Sequence, residues 1–193
     1  MATKPGERKL QILQTLAQML EKPAAEKITT AALAAKLDVS EAALYRHFAS
    51  KAQMFEGLIS FIEETIFGLV NKITAEQTSG LAQIEAVLVM LLGFAKKNPG
   101  MTRVLIGDAL VNENERLQLR INQLHDRVEA TLKQALRFAG GQNELPAAGG
   151  DPAACANLIM SFVAGRWHQF AKSGFKRDPM QYWAEQWRVL LPH

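Results

Sequence analysis

Residues 28–51 read ITTAALAAKLDVSEAALYRHFASK, and this stretch decides the fold. Its pattern is two short helices separated by a tight turn, with a longer helix starting where it ends. Thr29 or Thr30 offers a hydroxyl to the free backbone N–H groups of the first short helix. Leu33 and Leu37 lie four apart on one face of it. Asp38-Val39 forms the turn, since Asp tolerates the left-handed conformation better than most non-glycine residues. Ser40 caps the second helix, where Leu44 and Phe48 are again four apart. With these apolar positions inward, Glu41, Ala42, Ala43, Tyr45, Arg46 and His47 fall at or near the outer face. Two short helices packed through small apolar contacts have the geometry of a helix-turn-helix, whose second helix enters the major groove of double-stranded DNA.

Upstream lies an arm carrying Lys4, Arg8 and Lys9, which suits phosphate or minor-groove contact and equally a solvated tail. Leu10, Leu13, Leu16, Ala17 and Leu20 form a helical stripe, expected as core across the back of the hairpin. Downstream, a helix over 50–73 starts at Ser50 and carries Met54, Phe55, Leu58, Ile62, Ile66 and Val70, widened by Phe61 and Phe67. It reads as the connector to the rest of the chain. Its first turn presents Lys51 and free N–H groups to a phosphate.

After a polar loop at 74–80, Leu81, Ile84, Val87, Leu88, Leu91, Leu92 and Ala95 mark a fifth helix, ended by Asn98-Pro99-Gly100. A short helix over 101–111 and a long amphipathic one over 114–138 follow. Residues 139–150, AGGQNELPAAGG, read as loop. Asp151-Pro152 and Asp178-Pro179 each read as a cap followed by Pro at the first helical position, opening two final helices. No strand pattern or repeat appears, so the class is all-α with about nine helices. The expected division is a DNA-binding domain over 1–53 and a helical dimerisation and partner-binding domain over 54–193.

The eighth helix is apolar nearly all round, and the ninth concentrates Trp183 and Trp187. A helix apolar on both faces is buried on both. One face meets the core, and the other is expected to meet a second subunit through Phe162, Trp167, Trp183 and Trp187.

Composition sets bounds on chemistry. The chain has 193 residues, 48% of them hydrophobic, and a net charge of +3, which permits DNA binding without proving it. No apolar run reaches bilayer length, and residues 1–9, MATKPGERK, lead into an amphipathic helix and not a signal-peptide core. Cys155 is the only cysteine, which fits a reducing cytoplasm. His47, His125, His168 and His193 show no metal-ligand spacing. Phosphate-loop, dinucleotide-loop and nucleophile-elbow motifs are missing. No cofactor, metal or enzymatic activity is expected.

Thr29-Thr30, Leu33-Ala34, Val39-Ser40, Leu44-Tyr45, His47-Phe48 and Ser50-Lys51 together resemble the DNA-binding domain of TetR-type transcriptional regulators, with Asp38 where that pattern usually has Gly. This resemblance implies a nine-helix fold, a dimer built from the last two helices, and DNA contacts from Thr29, Thr30, Ser40 to Ala43, Tyr45, Arg46, His47 and Lys51. A further likeness joins residues 40–51 and Met54-Phe55 to LLGFAKKNPG at 91–100 and RLQLRINQLHDRVEA at 116–130. It is to the branch of the family that acts in nucleoid occlusion in Gram-negative bacteria. Members of that branch are cytoplasmic and nucleoid-associated, bind chromosomal sites as homodimers, and block assembly of the tubulin-like division protein FtsZ. The arm here is less basic than the branch implies. The likeness places the partner surface at Gly93, Lys97, Asn98 and Pro99. The residues alone also accommodate a ligand-responsive repressor. Its effector pocket needs polar groups converging inside an apolar cavity, for which Asn157, Ser161 and His168 are candidates.

Overall fold

Asp38 lies in the left-handed region at φ 53°, and the chain reverses there between two short helices. The computed structural model describes residues 5–22, 28–146 and 150–191. Lys4 and His193, singled out above, lie outside the described residues. The described helices are α1 (Pro5–Leu20), α2 (Thr30–Lys36), α3 (Glu41–Tyr45), α4 (Lys51–Glu76), α5 (Gly80–Lys97), α6 (Pro99–Leu105), α7 (Glu115–Gly141), α8 (Pro152–Lys172) and α9 (Trp183–Leu190). A 3-10 turn, Asp108–Leu110, precedes α7. The described residues hold no strand, and no helix among them is long and apolar enough to cross a membrane.

The chain divides into two compact units, one of Met1–Ile62 with Asn98–Ile121, the other of Glu63–Lys97 with Asn122–His193. In the first, α1 packs against α2 and α6. Its buried face is Ile12, Leu16, Ala17 and Leu20, while Leu10 is exposed and Leu13 half-buried. Leu16, Ala17 and Leu20 are thus buried as expected, and Ile12 takes the place of Leu10 and Leu13 at the front of the stripe. Ile12, Leu16 and Leu20 recur at a four-residue step and form the buried seam of α1. Gly100 belongs to the start of α6 and not to a chain reversal after α5. A Cβ there would come within 1.9 Å of the Ala17 carbonyl oxygen, so its lack of a side chain is what lets α6 approach α1. Arg103 fixes the same junction, donating to the carbonyls of Leu20 and Lys22 at 3.2 and 3.1 Å and pairing with Asp108 at 2.7 Å. Those carbonyls close the α1 carboxy terminus, where orphan acceptors need partners.

In the second unit, α5 and α8 pack together. The core is built from Ile84, Leu88 and Leu91, from Leu124, Val128 and Leu132, and from Ile159, Val163 and Trp167. α7 continues to Gly141, three residues beyond the expected end, so Gly140 and Gly141 are helical. Just past it, Gln142 and Glu144 accept from the N–H groups of Gly80 and Leu81, each at 2.9 Å, and so cap the start of α5. The polar linker shrinks to 77–79, because α4 runs on to Glu76.

The expected Asp151 cap is present, with its carboxylate accepting from Ala153 N–H at 3.2 Å. Asp178-Pro179 does not open a helix. Arg166 donates to the carbonyls of Asp178, Pro179 and Gln181 at 2.8, 3.0 and 2.9 Å, taking acceptors that a helix there would use for itself. Tyr182, at φ 66°, breaks the chain direction, and α9 starts only at Trp183.

Candidate nucleic-acid interface

The two short helices carry both of their expected caps. Thr29 Oγ1 accepts from Ala32 N–H at 3.1 Å, and Ser40 Oγ accepts from Ala43 N–H at 3.2 Å. Both residues are exposed, and each hydroxyl keeps its proton for donation to an outside acceptor. Thr30, the alternative cap, does something else. Its hydroxyl donates to Glu41 Oε2 at 2.6 Å and accepts from Tyr45 Oη at 3.4 Å. This clasp joins the start of α2 to both ends of α3 and sets the angle at which α3 is presented.

On the outer face, Glu41, Ala42, Tyr45 and Arg46 are exposed, and Ala43 and His47 half-buried. Leu44 and Phe48 are buried beneath them, with the Lys9 ammonium 5.7 Å from the Phe48 ring. Small side chains at 42 and 43 leave room for close approach of base edges, and Arg46 and Tyr45 stand at the rim. Ser50 Oγ accepts from Gln53 N–H at 3.2 Å and starts α4. Lys51 sits in that first turn, but its ammonium is ion-paired with Glu113, 62 residues further on, a partner that spacing alone cannot reveal. Arg116 pairs with Glu56 at 2.7 Å, and Arg120 donates to the Glu56 carbonyl and Ser60 Oγ, each at 3.2 Å. The start of α7 is thereby stitched to the start of α4.

The residues expected to meet a second subunit separate into two groups. Trp167 is fully buried, with its indole N–H donating to the Leu91 carbonyl at 3.1 Å, and Trp187 is buried as well. Trp167 is thus a core residue of its own chain and cannot form an interface. Phe162 and Trp183 are half-buried, the latter stacked on Trp187 at 5.6 Å. Exposed apolar surface on these helices belongs instead to Leu158, 59% exposed, and Val189, 80% exposed. Helical periodicity marked α8 as apolar on two sides, but it did not say which side its own core would take.

At the end of α5, Lys96 and Lys97 are both exposed, and Lys96 pairs with Asp178 at 2.5 Å. The Lys96 hydrogen bond, with help from Met180 N–H, holds the Asp178 carboxyl below its ordinary range. Gly93 is half-buried, and a Cβ there would meet no atom within 4 Å. Asn98 is the N-cap residue of α6, with its carbonyl accepting from the N–H and hydroxyl of Thr102, each at 3.0 Å. Pro99 follows at the first helical position. Asn157, Ser161 and His168, considered above as pocket groups, are all exposed on α8 and do not converge inside. No group of three or more metal-ligating side chains occurs among the described residues.

A helix-turn-helix presented on a helical body of this topology defines a DNA-binding bacterial regulator. Residues 12–58 match the family described as "Bacterial regulatory proteins, tetR family", and residues 77–193 match "SlmA-like_C: Tetracyclin repressor-like, C-terminal domain". The chain belongs to the TetR family, in its SlmA-like branch. It is similar to the nucleoid occlusion factor SlmA of Marinomonas sp. (strain MWYL1), with 51% identity over 191 residues, covering 98% of this chain and 96% of that protein. To the nucleoid occlusion factor SlmA of Alteromonas mediterranea it is 50% identical over 189 residues, with the same two coverages. Among solved structures, a TetR-family transcriptional regulator from Agrobacterium tumefaciens superposes with a TM-score of 0.81 at 17% identity, covering 97% of each chain. The fatty acid degradation regulator FadR from Bacillus halodurans gives 0.80 at 18% identity, covering 98% of this chain and 97% of that one. At such identities these two carry the fold alone.

Proposed function

We propose that this chain is a nucleoid occlusion factor: a DNA-bound homodimer that blocks assembly of the tubulin-like division protein FtsZ over the chromosome, in the cytoplasm. The observation that carries the reading is near-complete likeness, at about half identity, to proteins bearing that name, over a chain whose exposed helix-turn-helix is intact. DNA binding rests on residues 1–53. Thr29, Tyr45, His47 and Lys51 hold phosphates, Ser40 to Ala43 face base edges, and Thr30 and Arg46 complete the surface. Phosphate contacts fix register, while base contacts carry sequence preference. Two reading helices in a dimer fit half-sites about 34 Å apart or a multiple of that.

The dimer forms through α8 and α9, with Leu158, Phe162, Trp183 and Val189 supplying apolar contact. Gly93, Lys97, Asn98 and Pro99 receive the division protein. Lys97 supplies a cation at a helix carboxy terminus, where the helix dipole favours positive charge, and Gly93 admits a partner backbone. The test is sedimentation of FtsZ polymer with this protein, with and without chromosomal DNA fragments that it selects. A DNA-dependent loss of pelleted polymer is the expected result. An unchanged pellet, together with release from DNA by a small molecule, would install the effector-controlled repressor instead.

A further inference from the structure

We propose that Glu113 is an internal stand-in for DNA phosphate: it holds the Lys51 ammonium in the free protein and thereby lowers affinity for DNA. The inference rests on the DNA-binding reading above, and it concerns a residue outside the helix-turn-helix.

Glu113 lies between the 3-10 turn and α7, directly after Asn112, whose left-handed φ of 66° turns the chain. Its N–H donates to the Leu110 carbonyl at 2.9 Å, which fixes the backbone at that point. The carboxylate meets Lys51 Nζ, and the two side chains are only 14% and 24% exposed. Lys51 also lies 5.6 Å from the Phe55 ring, so its stem lies along the protein and not out into solvent.

An ammonium has three donors but a single charge. While Glu113 neutralises that charge, a phosphate at the start of α4 gains little from Lys51. Partial burial makes the pair stronger than an exposed one, because solvent and salt screen it less. Binding DNA through Lys51 therefore requires an exchange of one oxyanion for another, and Glu113 is left without its partner. The chain anchors both ends of the exchange. Arg116 and Arg120 tie the start of α7 to Glu56 and Ser60 on α4, so Glu113 stays within reach of Lys51.

The experiment measures affinity for a DNA fragment that the full-length protein selects, for the parent, Glu113→Gln, Lys51→Met and the double variant. Glu113→Gln is expected to tighten binding about fivefold, and by less than about twofold in the Lys51→Met background. The dependence on Lys51 separates an exchanged ion pair from general removal of negative charge near DNA. Equal gains in both backgrounds, or no gain in either, would overturn the proposal. Should Glu113→Gln fail to fold, Glu113→Asp shortens the acidic arm by one methylene and is expected to give a gain of the same sign. A parent that binds no DNA at all would overturn the DNA-binding reading itself, an outcome distinct from a parent that binds while its variants are unchanged.

Discussion

The α carbon of Gly100 faces the Ala17 carbonyl so closely that a methyl group there would sit 1.9 Å from the oxygen. Backbone on one side and a helix start on the other leave no flexible side chain to give way. Gly100→Ala is expected to destabilise the protein by about 1–3 kcal/mol, the usual range for overpacking. Denaturant unfolding followed by circular dichroism measures it, and Gly93→Ala, at a position open to 4 Å, serves as the control. Equal midpoints for the two variants would show that α1 and α6 part at little cost.

Thr29 combines a cap and a surface position, and the two roles separate by substitution. Thr29→Ala removes the acceptor for Ala32 N–H and is expected to cost about 1 kcal/mol of stability as well as DNA affinity. Thr29→Asp restores the cap and also suits the positive end of α2. It places a carboxylate where a phosphate is expected, so stability should return while DNA binding stays lost. If Thr29→Asp binds DNA as the parent does, Thr29 is a cap and nothing more.

The Lys96–Asp178 pair gives a pH dependence with a definite sign. Its folded pKa is depressed, so the pair's stabilisation is present above the ordinary aspartate value of 3.8 and is lost as pH falls through the folded value. Both partners are well exposed, with side chains 55% and 40% accessible, so the effect is small and salt-sensitive. Asp178→Asn is expected to flatten the melting temperature against pH between about 5 and 2, while its amide oxygen still accepts from Met180 N–H and keeps that turn closed. A profile parallel to the parent's would show that the pair contributes nothing to folding.

Local signals in the sequence were legible and the azimuths of helices were not. Thr29, Ser40, Ser50 and Asp151 act as caps or helix starts because a hydroxyl or carboxylate needs only the next turn as partner. Asp38 takes the left-handed turn because that preference is intrinsic to the residue. Contacts that span the chain were hidden. Arg166 draws three carbonyls of 178–181 out of helical use, and nothing in Asp178-Pro179 announces it. Lys51 reads as a bare cation until Glu113 is placed beside it. Trp167 is apolar on an apolar helix, and its complete burial and indole hydrogen bond to Leu91 show that it belongs to its own core.

That distinction yields a test of the dimer face. Leu158 is exposed on α8, with Ser161, Phe162 and Gly165 on the following turns. Leu158→Asp is expected to give monomers in analytical ultracentrifugation at micromolar concentration and to weaken binding to a two-half-site DNA. Trp167→Phe loses one buried hydrogen bond, costing about 1 kcal/mol, and leaves the dimer intact. The reverse pattern, with Leu158→Asp dimeric and Trp167→Phe monomeric, would place the interface elsewhere.

Lys97 carries the prediction that separates the proposed function from an ordinary repressor. Its neighbour Lys96 is occupied by Asp178, so the cationic pair at the end of α5 offers Lys97 to a partner. An acidic segment of the division protein, such as its flexible tail, would gain from that charge and from the open face at Gly93. Lys97→Glu inverts the charge at a position remote in sequence from both the helix-turn-helix and α8–α9. It is expected to leave DNA affinity and dimerisation within about twofold of the parent, since an exposed single charge contributes little elsewhere. Suppression of FtsZ polymer in the sedimentation assay should be lost. Lys97→Arg keeps the charge and should retain suppression, which distinguishes recognition from a fold defect. Suppression by Lys97→Glu at the parent's level would move the partner surface away from the end of α5, while leaving the DNA-bound dimer in place.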